Sequence, residues 1–341
     1  MPHPGHTSAQ ASRALVRRLI RKLMLALWSL LAVASVARAQ TPPLTDNTPP
    51  ATIAAAQPRL PEMVSGRQGK LLLTSGVSSI DGAAGGGLTP WALTASHATD
   101  DSLGASTYFT HIRLQDYTLD GYGIAVGWGD RLEASVARQD LDTGDSLAAL
   151  GFSGLHLRQT IVGLKLRVAG DAIVDSDRWM PQVAIGIEHK HLDAGSFAPV
   201  LRSLGASTSG TDVYVSATKL LLAHGVLLNG TLRSTRANQN GLLGFGSSAH
   251  HARQLQADMS VAKLLRRDLA VGIEYRSQSD NLDGVAFGNG LRADDWKDIF
   301  IAWAPVKWFS LTLAYVDLGH IVPALTPGRQ TGAYVSAQLS Y

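Results

Sequence analysis

The sequence predicts an all-β protein: a closed antiparallel transmembrane β-barrel of 14 strands, or of 12 with the N-terminal segment as a partial plug. Three observations predict it. Apolar residues recur at every second place in long segments, with almost no helical period. These segments run to about ten residues, the length a tilted strand needs to cross a bilayer, where soluble strands average about five or six. The connections between them alternate between short and long, as in outer-membrane barrels.

The front of the 341-residue chain stands apart from that pattern. Arg13, Arg17, Arg18, Arg21 and Lys22 precede the apolar run Leu23–Val36, and Ala37-Arg38-Ala39 has the small-x-small form of a cleavage site. The run is too short to span a bilayer, so residues 1–39 read as a secretory signal peptide cut before Gln40. Residues 40–68 hold Pro42, Pro43, Pro49, Pro50, Pro58 and Pro61 and read as an extended arm or linker. Residues 69–341 are assigned to the barrel.

Removing the signal changes the charge. The chain has 30 Lys+Arg and 27 Asp+Glu; residues 1–39 take six basic residues and no acid, leaving 24 against 27, a net charge of −3. The basic character belongs to the signal, and a nucleic-acid partner loses its footing. There is no cysteine, so an exported protein of this kind is held by its core or by a closed hydrogen-bond network. The 34 glycines also speak against a helical protein.

Leu71–Ile80 and Leu88–His97, flanking the Gly-rich turn Gly82–Gly87, are assigned as the two strands that bring the count from twelve to fourteen. From Gly104 the alternation is plainer. Tyr122, Ile124, Val126 and Trp128 alternate with small residues, and Val162, Leu164, Leu166 and Val168 with Lys165 and Arg167. Val183, Ile185 and Ile187 precede Glu188 and Lys190, and Val213 and Val215 oppose Tyr214, Ser216 and Thr218. Leu228 and Leu232 oppose Asn229, Thr231 and Arg233, and Met259 and Val261 oppose Asp258 and Ser260. Val271, Ile273 and Tyr275 oppose Glu274 and Arg276, and Leu311, Leu313 and Tyr315 oppose Ser310 and Thr312. The chain stops on an alternating strand, with Ala333, Val335, Ala337, Leu339 and Tyr341 on one face. In lipid every backbone group must be paired, so a last strand closing against the first explains a chain without a polar tail. Val335, Leu339 and the terminal aromatic Tyr341 resemble the C-terminal signal that barrel-assembly machinery reads.

Two bands of tryptophan are expected at the interfaces. Trp128, Trp179, Trp303 and Trp308 fall at strand ends on the side of Tyr341, and Trp91 and Trp296 at the opposite ends. If apolar positions face lipid, then His111, Arg113, Glu133, Lys165, Arg167, Glu188, Lys190, Arg233, Asp258, Glu274, Arg276 and Asp298 face the lumen. Unpaired burial of such groups is very costly, so they pair across the barrel or line water. Their mixed sign suits a constricted channel and a barrel filled by salt bridges alike.

The stretches GKLLLTSGVSSIDGAAGGGLTPWA (69–92), DRWMPQVAIGIEHK (177–190), ATKLLLAHGVLLNGTLR (217–233), LLRRDLAVGIEYRSQSDNL (264–282) and LTLAYVDLG (311–319) resemble a bacterial family termed domain of unknown function 3034. The resemblance covers roughly residues 64–341. It implies an exported outer-membrane protein and carries over no catalytic residue.

The motifs outside this frame are weak. Gly144-Asp145-Ser146-Leu147 with Asp317-x-x-His320 spells two blocks of the GDSL esterases, and a Ser146–His320 pair would be chemically sensible. That fold needs helices, and none is visible in the sequence. Gly82–Gly87 lacks the Lys-Ser/Thr of a phosphate loop and reads as a turn or a close backbone contact inside the barrel. His250-His251 lacks further ligands at useful spacing, and Asp280, Asp283, Asp294 and Asp295 read as a solvated acidic loop. No cofactor and no metal is called for. The functional expectation is a narrow channel or passive transporter for a small solute, not an enzyme. A structural or adhesion barrel with a salt-bridge-filled lumen is the alternative, and an outer-membrane esterase using Ser146 and His320 the second. The partners expected are outer-membrane lipid, lipopolysaccharide and the assembly machinery.

Overall fold

A computed structural model describes residues 70–74, 77–99, 102–172 and 179–341. The signal peptide and the Pro-rich arm lie outside these residues. Twelve strands follow one another in order: β1 (Leu103–Arg113), β2 (Thr118–Trp128), β3 (Leu132–Asp142), β4 (His156–Ala169), β5 (Gln182–Asp193), β6 (Ser209–Leu221), β7 (Val226–Thr235), β8 (Gln254–Arg266), β9 (Leu269–Arg276), β10 (Trp296–Val306), β11 (Phe309–Asp317) and β12 (Thr331–Ser340). Each pairs antiparallel with its sequence neighbour, and β12 closes on β1 from Ser106↔Ser340 to Arg113↔Ala333. The closure leaves no edge, which a sheet in lipid requires.

Alternation becomes a wall with two unlike faces. Every strand sends at least one large apolar residue outward: Phe109, Ile124, Val136, Leu166, Ile187, Val215, Leu232, Met259, Ile273, Ile301, Leu313 and Val335 are all exposed. Such a continuous belt is far more apolar surface than a monomer shows to water, and it fits hydrocarbon. Pro305, which removes a ladder hydrogen bond, sits in β10 where the register with β11 shifts between Trp303 and Val306.

At one end, here the turn end, β2–β3, β6–β7, β8–β9 and β10–β11 join through a few residues each, and Tyr341 lies there. At the other, the loop end, all connections but Leu114–Tyr117 are long. The long loops fold inward. Leu147, Phe197, Leu201, Leu242, Leu243 and Ile321 pack over the inward ends Ile112, Leu157, Leu192 and Val316, capping that end with an apolar core.

Twelve strands correct the count of fourteen. Leu71–Ile80 and Leu88–His97 are not strands of the wall, because β1 already has both its neighbours in β2 and β12. Residues 77–99 instead lie inside the barrel, almost wholly buried. Two isolated bridges, Ser78↔Ala84 and Gly85↔Pro90, and short internal bonds such as Ile80 N–H to the Gly87 carbonyl at 2.9 Å organise them. Polar side chains of the wall meet further backbone groups, as buried polar groups require.

Candidate functional site in the lumen

The lumen segment enters and leaves at the turn end. Lys70 bonds the carbonyl of Thr94 at 2.6 Å and pairs with Asp130 of the β2–β3 turn at 2.8 Å. Between these points the segment climbs to Ile80 and Asp81, crosses to β9 and sweeps back along the wall. Leu88 N–H donates to Glu274 at 2.7 Å, Thr231 donates to the carbonyl of Pro90 at 2.8 Å, and Ala92 N–H donates to Thr218 at 2.8 Å. Lys165 donates to the carbonyls of Ala84 at 2.9 Å and Leu93 at 2.7 Å; Ala95 N–H donates to Glu133 at 2.7 Å. The glycine run makes this path sterically feasible. A Cβ on Gly85 would stand 2.1 Å from the Thr89 carbonyl and 2.9 Å from Pro90 Cα, both backbone atoms that have nowhere to go.

A second inward element comes from the loop end. The β7–β8 loop is buried from Ala237 to Ser247, and Gln239 and Asn240 adopt positive φ, of 45° and 59°. Such conformations are uncommon outside glycine and gather at functional sites. This turn carries Asn240 down to the lumen segment, where Nδ2 donates to Asp81 at 2.7 Å and Oδ1 accepts from Lys190 at 2.7 Å.

Asp81 is the centre of the site. Arg276 of β9 reaches it at 2.7 Å, Lys190 of β5 at 3.3 Å and Arg233 of β7 at 3.4 Å. Around these cations stand Asp258, 3.0 Å from Arg233, Glu188, 3.2 Å from Arg233, and Asp212, 3.1 Å from Lys190. All seven charged side chains are at most 1% exposed. Charges so buried are tolerable only as a mutually paired network. Lys165 and Glu133 form a separate buried pair at 3.1 Å.

Ten of the twelve residues assigned to the lumen point inward: Glu133, Lys165, Arg167, Glu188, Lys190, Arg233, Asp258, Glu274, Arg276 and Asp298. Arg167 stands at the turn-end rim, paired with Asp130 and with Asp171. Asp298 faces Glu274 across the β9–β10 register. The other two need correction. His111 and Arg113 lie on the outer face of β1, because Tyr108, Thr110 and Ile112 take the inward places. His111 pairs instead with Asp120 at 2.7 Å on the outside. The polar stretch there holds too little apolar contrast to fix which face is which.

The tryptophans divide likewise. Trp179, Trp303 and Trp308 are exposed at the turn end, where Trp128 also lies on the outer face of β2. Trp91 and Trp296 do not form an outer band. Trp91 is buried in the lumen segment and donates to Ser260 at 3.0 Å; Trp296 faces inward, 5.9 Å beneath Arg276. A buried indole and an interface indole look alike in the sequence, because both roles place tryptophan at an element's end. Val335, Leu339 and Tyr341 are all exposed on the outer face of the chain's end.

Sequence reasoning missed Asp81, Asp212 and Asn240. Asp212 shares the parity of Tyr214, Ser216 and Thr218, so alternation extended two residues back finds it. Asp81 is the only acid between Lys70 and Thr99, an isolated charge in an apolar, Gly-rich run. Nothing local marks Asn240.

The esterase residues are not assembled. Ser146 donates to the carbonyl of Asp116 at 3.2 Å, and His320 pairs through Nδ1 with Asp294 at 2.6 Å. Asp317 pairs with Arg329 at 2.7 Å. Partial burial works to raise Asp294, but its hydrogen bonds from His320 and the charge of Arg329 outweigh it and hold the carboxyl below its usual range. Among the described residues no three His, Asp or Glu side chains gather as a metal site.

A closed antiparallel wall, an apolar belt outside and an occupied, charged lumen define a transmembrane β-barrel of the outer-membrane type. Residues 74–338 match the family described as Protein of unknown function (DUF3034), and the chain belongs to that family. No curated protein matches it. Among solved structures it is similar to the KdgM porin, at 9% identity and a TM-score of 0.44, covering 69% of this chain and 99% of that one. It is similar to the NanC porin at 10% identity and a TM-score of 0.45, covering 70% and 99%. Omp33 of Acinetobacter baumannii follows at 8% and 0.39, covering 71% and 99%. Likeness this distant bears no weight on what the barrel does.

Proposed function

We propose that the protein is a narrow outer-membrane channel for a small solute, shut in this conformation by residues 77–99. The turn end then faces the periplasm, and the long loops and their apolar cap face outward. The observation that carries the reading is the way the lumen is filled. The segment is held by hydrogen bonds and ion pairs to polar wall residues, and both its ends lie at one rim. A segment so anchored leaves without threading, and the wall it leaves behind is polar enough to carry water.

Single-channel recording of the refolded chain in planar bilayers tests this. Thr89 and Ser260 touch through their hydroxyls at 2.6 Å, so Thr89→Cys with Ser260→Cys in this cysteine-free chain ties the segment to β8. Wild type is expected to open intermittently, the oxidised pair to stay silent, and reduction to restore opening. A wild type that never conducts above bare lipid sinks the channel. That outcome selects a structural or adhesion barrel, the reading favoured by the apolar cap over a lumen crossed by ion pairs. Export by residues 1–39, insertion through the C-terminal strand and contact with lipopolysaccharide belong to the same proposal.

A further inference from the structure

Lys190, Arg233 and Arg276 converge on a carboxylate that the wall does not own. Of the charged groups in this central cluster, the three cations and their partners Glu188, Asp212 and Asp258 all belong to strands β5 to β9. Those six charges balance. Asp81 is a seventh, carried in by the lumen segment.

The balance hides an uneven pairing. Arg233 keeps Asp258 at 3.0 Å and Glu188 at 3.2 Å, and Lys190 keeps Asp212 at 3.1 Å, whatever the segment does. Arg276 does not. Its two close acceptors are Asp81, 2.7 Å from Nη2, and the carbonyl of Leu88, 2.8 Å from Nη1, and both belong to the segment. Its contact with Asp258 of the wall is 3.9 Å. When the segment moves, a buried guanidinium over the Trp296 ring loses both hydrogen-bonded partners, with Lys190 and Arg233 beside it. A guanidinium fork matches the planar geometry of a carboxylate, such as the one Asp81 supplies here, and leaving it unpaired is strongly unfavourable.

We infer that this trio, with Arg276 as its anchor, is a binding site for the carboxylate of a small organic acid, and that Asp81 is the chain's own occupant of that site. The inference names the solute class of the channel proposed above and takes its purpose from that reading. A free acid that binds Arg276 competes with Asp81 and so favours withdrawal of the segment. A cation gains nothing there, since three positive groups already face the position.

The experiment does not depend on conduction. Asp81→Ala deletes a carboxylate that formate replaces almost atom for atom. Formate is expected to raise the thermal unfolding temperature of the detergent-solubilised full-length variant by several degrees. The rise should track the logarithm of concentration, as for a ligand of the folded state. Chloride at equal ionic strength should not reproduce it, and adding Arg276→Gln should abolish it. A variant that responds to chloride as to formate overturns the inference. If Asp81→Ala does not fold, competition in the otherwise native chain decides. Ala92 is buried in the segment, and an Ala92→Cys thiol is expected to react with a maleimide several-fold faster in formate than in chloride. Equal rates overturn the site. A silent bilayer with a positive formate response removes the channel and keeps the site; conduction without any formate response does the reverse.

Discussion

Glu274 accepts the backbone N–H of Leu88 at 2.7 Å, though 186 residues separate them. The same carboxylate takes the hydroxyls of Thr89 at 2.6 Å and Ser260 at 2.8 Å. One wall residue thus serves the lumen segment and its own neighbouring strand. Glu274→Ala leaves a buried amide unpaired, at about 1–3 kcal/mol. We expect it to loosen the segment while the barrel stays closed. Maleimide labelling of Ala92→Cys should speed up in that background, with the heat-dependent gel mobility of the barrel unchanged. Unaltered labelling would show that Glu274 does not hold the segment.

Glu133 and Lys165 make a second, independent tie, each 1% exposed. Removing one partner strands the other, at about 3–5 kcal/mol. Glu133→Gln with Lys165→Met should therefore cost less than the two single changes added together, with a coupling of about 2 kcal/mol. Urea unfolding of the four proteins in detergent measures it. Additive losses would mean that the pair contributes packing alone.

The loop-end cap is built around an apolar core. Phe197 is buried and meets Phe152 edge-on, with ring centroids 5.4 Å apart. Phe197→Ala should cost about 3 kcal/mol, spent locally on the cap. Protease added to intact cells should then cut between residues 194 and 208 while the barrel's melting temperature holds. Should cap and barrel melt together, the loops are not a separate unit.

His97 sets a pH dependence at the turn end. Burial pushes its imidazole down, and the charges of Lys307 and Lys70 add to this, to about 4 against an ordinary 6.5. The folded state therefore holds the ring neutral while the unfolded chain takes up a proton first. Stability from this group is present above about pH 6.5 and drains away as pH falls towards about 4. Thermal unfolding followed between those pH values should show a steeper acid loss for wild type than for His97→Gln. Parallel curves would refute the assignment.

Much of the wall was legible in the sequence because its signal is local. Ile273, Glu274, Tyr275 and Arg276 alternate within four residues, and hydrocarbon on one side enforces the alternation. At His111 and Arg113 the apolar contrast fades near the strand's end, and the inference of their face failed with it. Trp91 and Trp296 misled because an indole suits both an interface and a packed lumen.

The sequence by itself determined a closed antiparallel barrel, its approximate strands and the inward face of most of the charged residues assigned to the lumen, since a two-residue period in lipid admits no other architecture. Only the tertiary structure decided that residues 77–99 fill the barrel instead of extending its wall, and that Asp81 meets Lys190, Arg233 and Arg276. That meeting joins side chains 109 to 195 residues apart. It depends on barrel closure and on two inward-folded segments, and no local pattern encodes contacts over such separations.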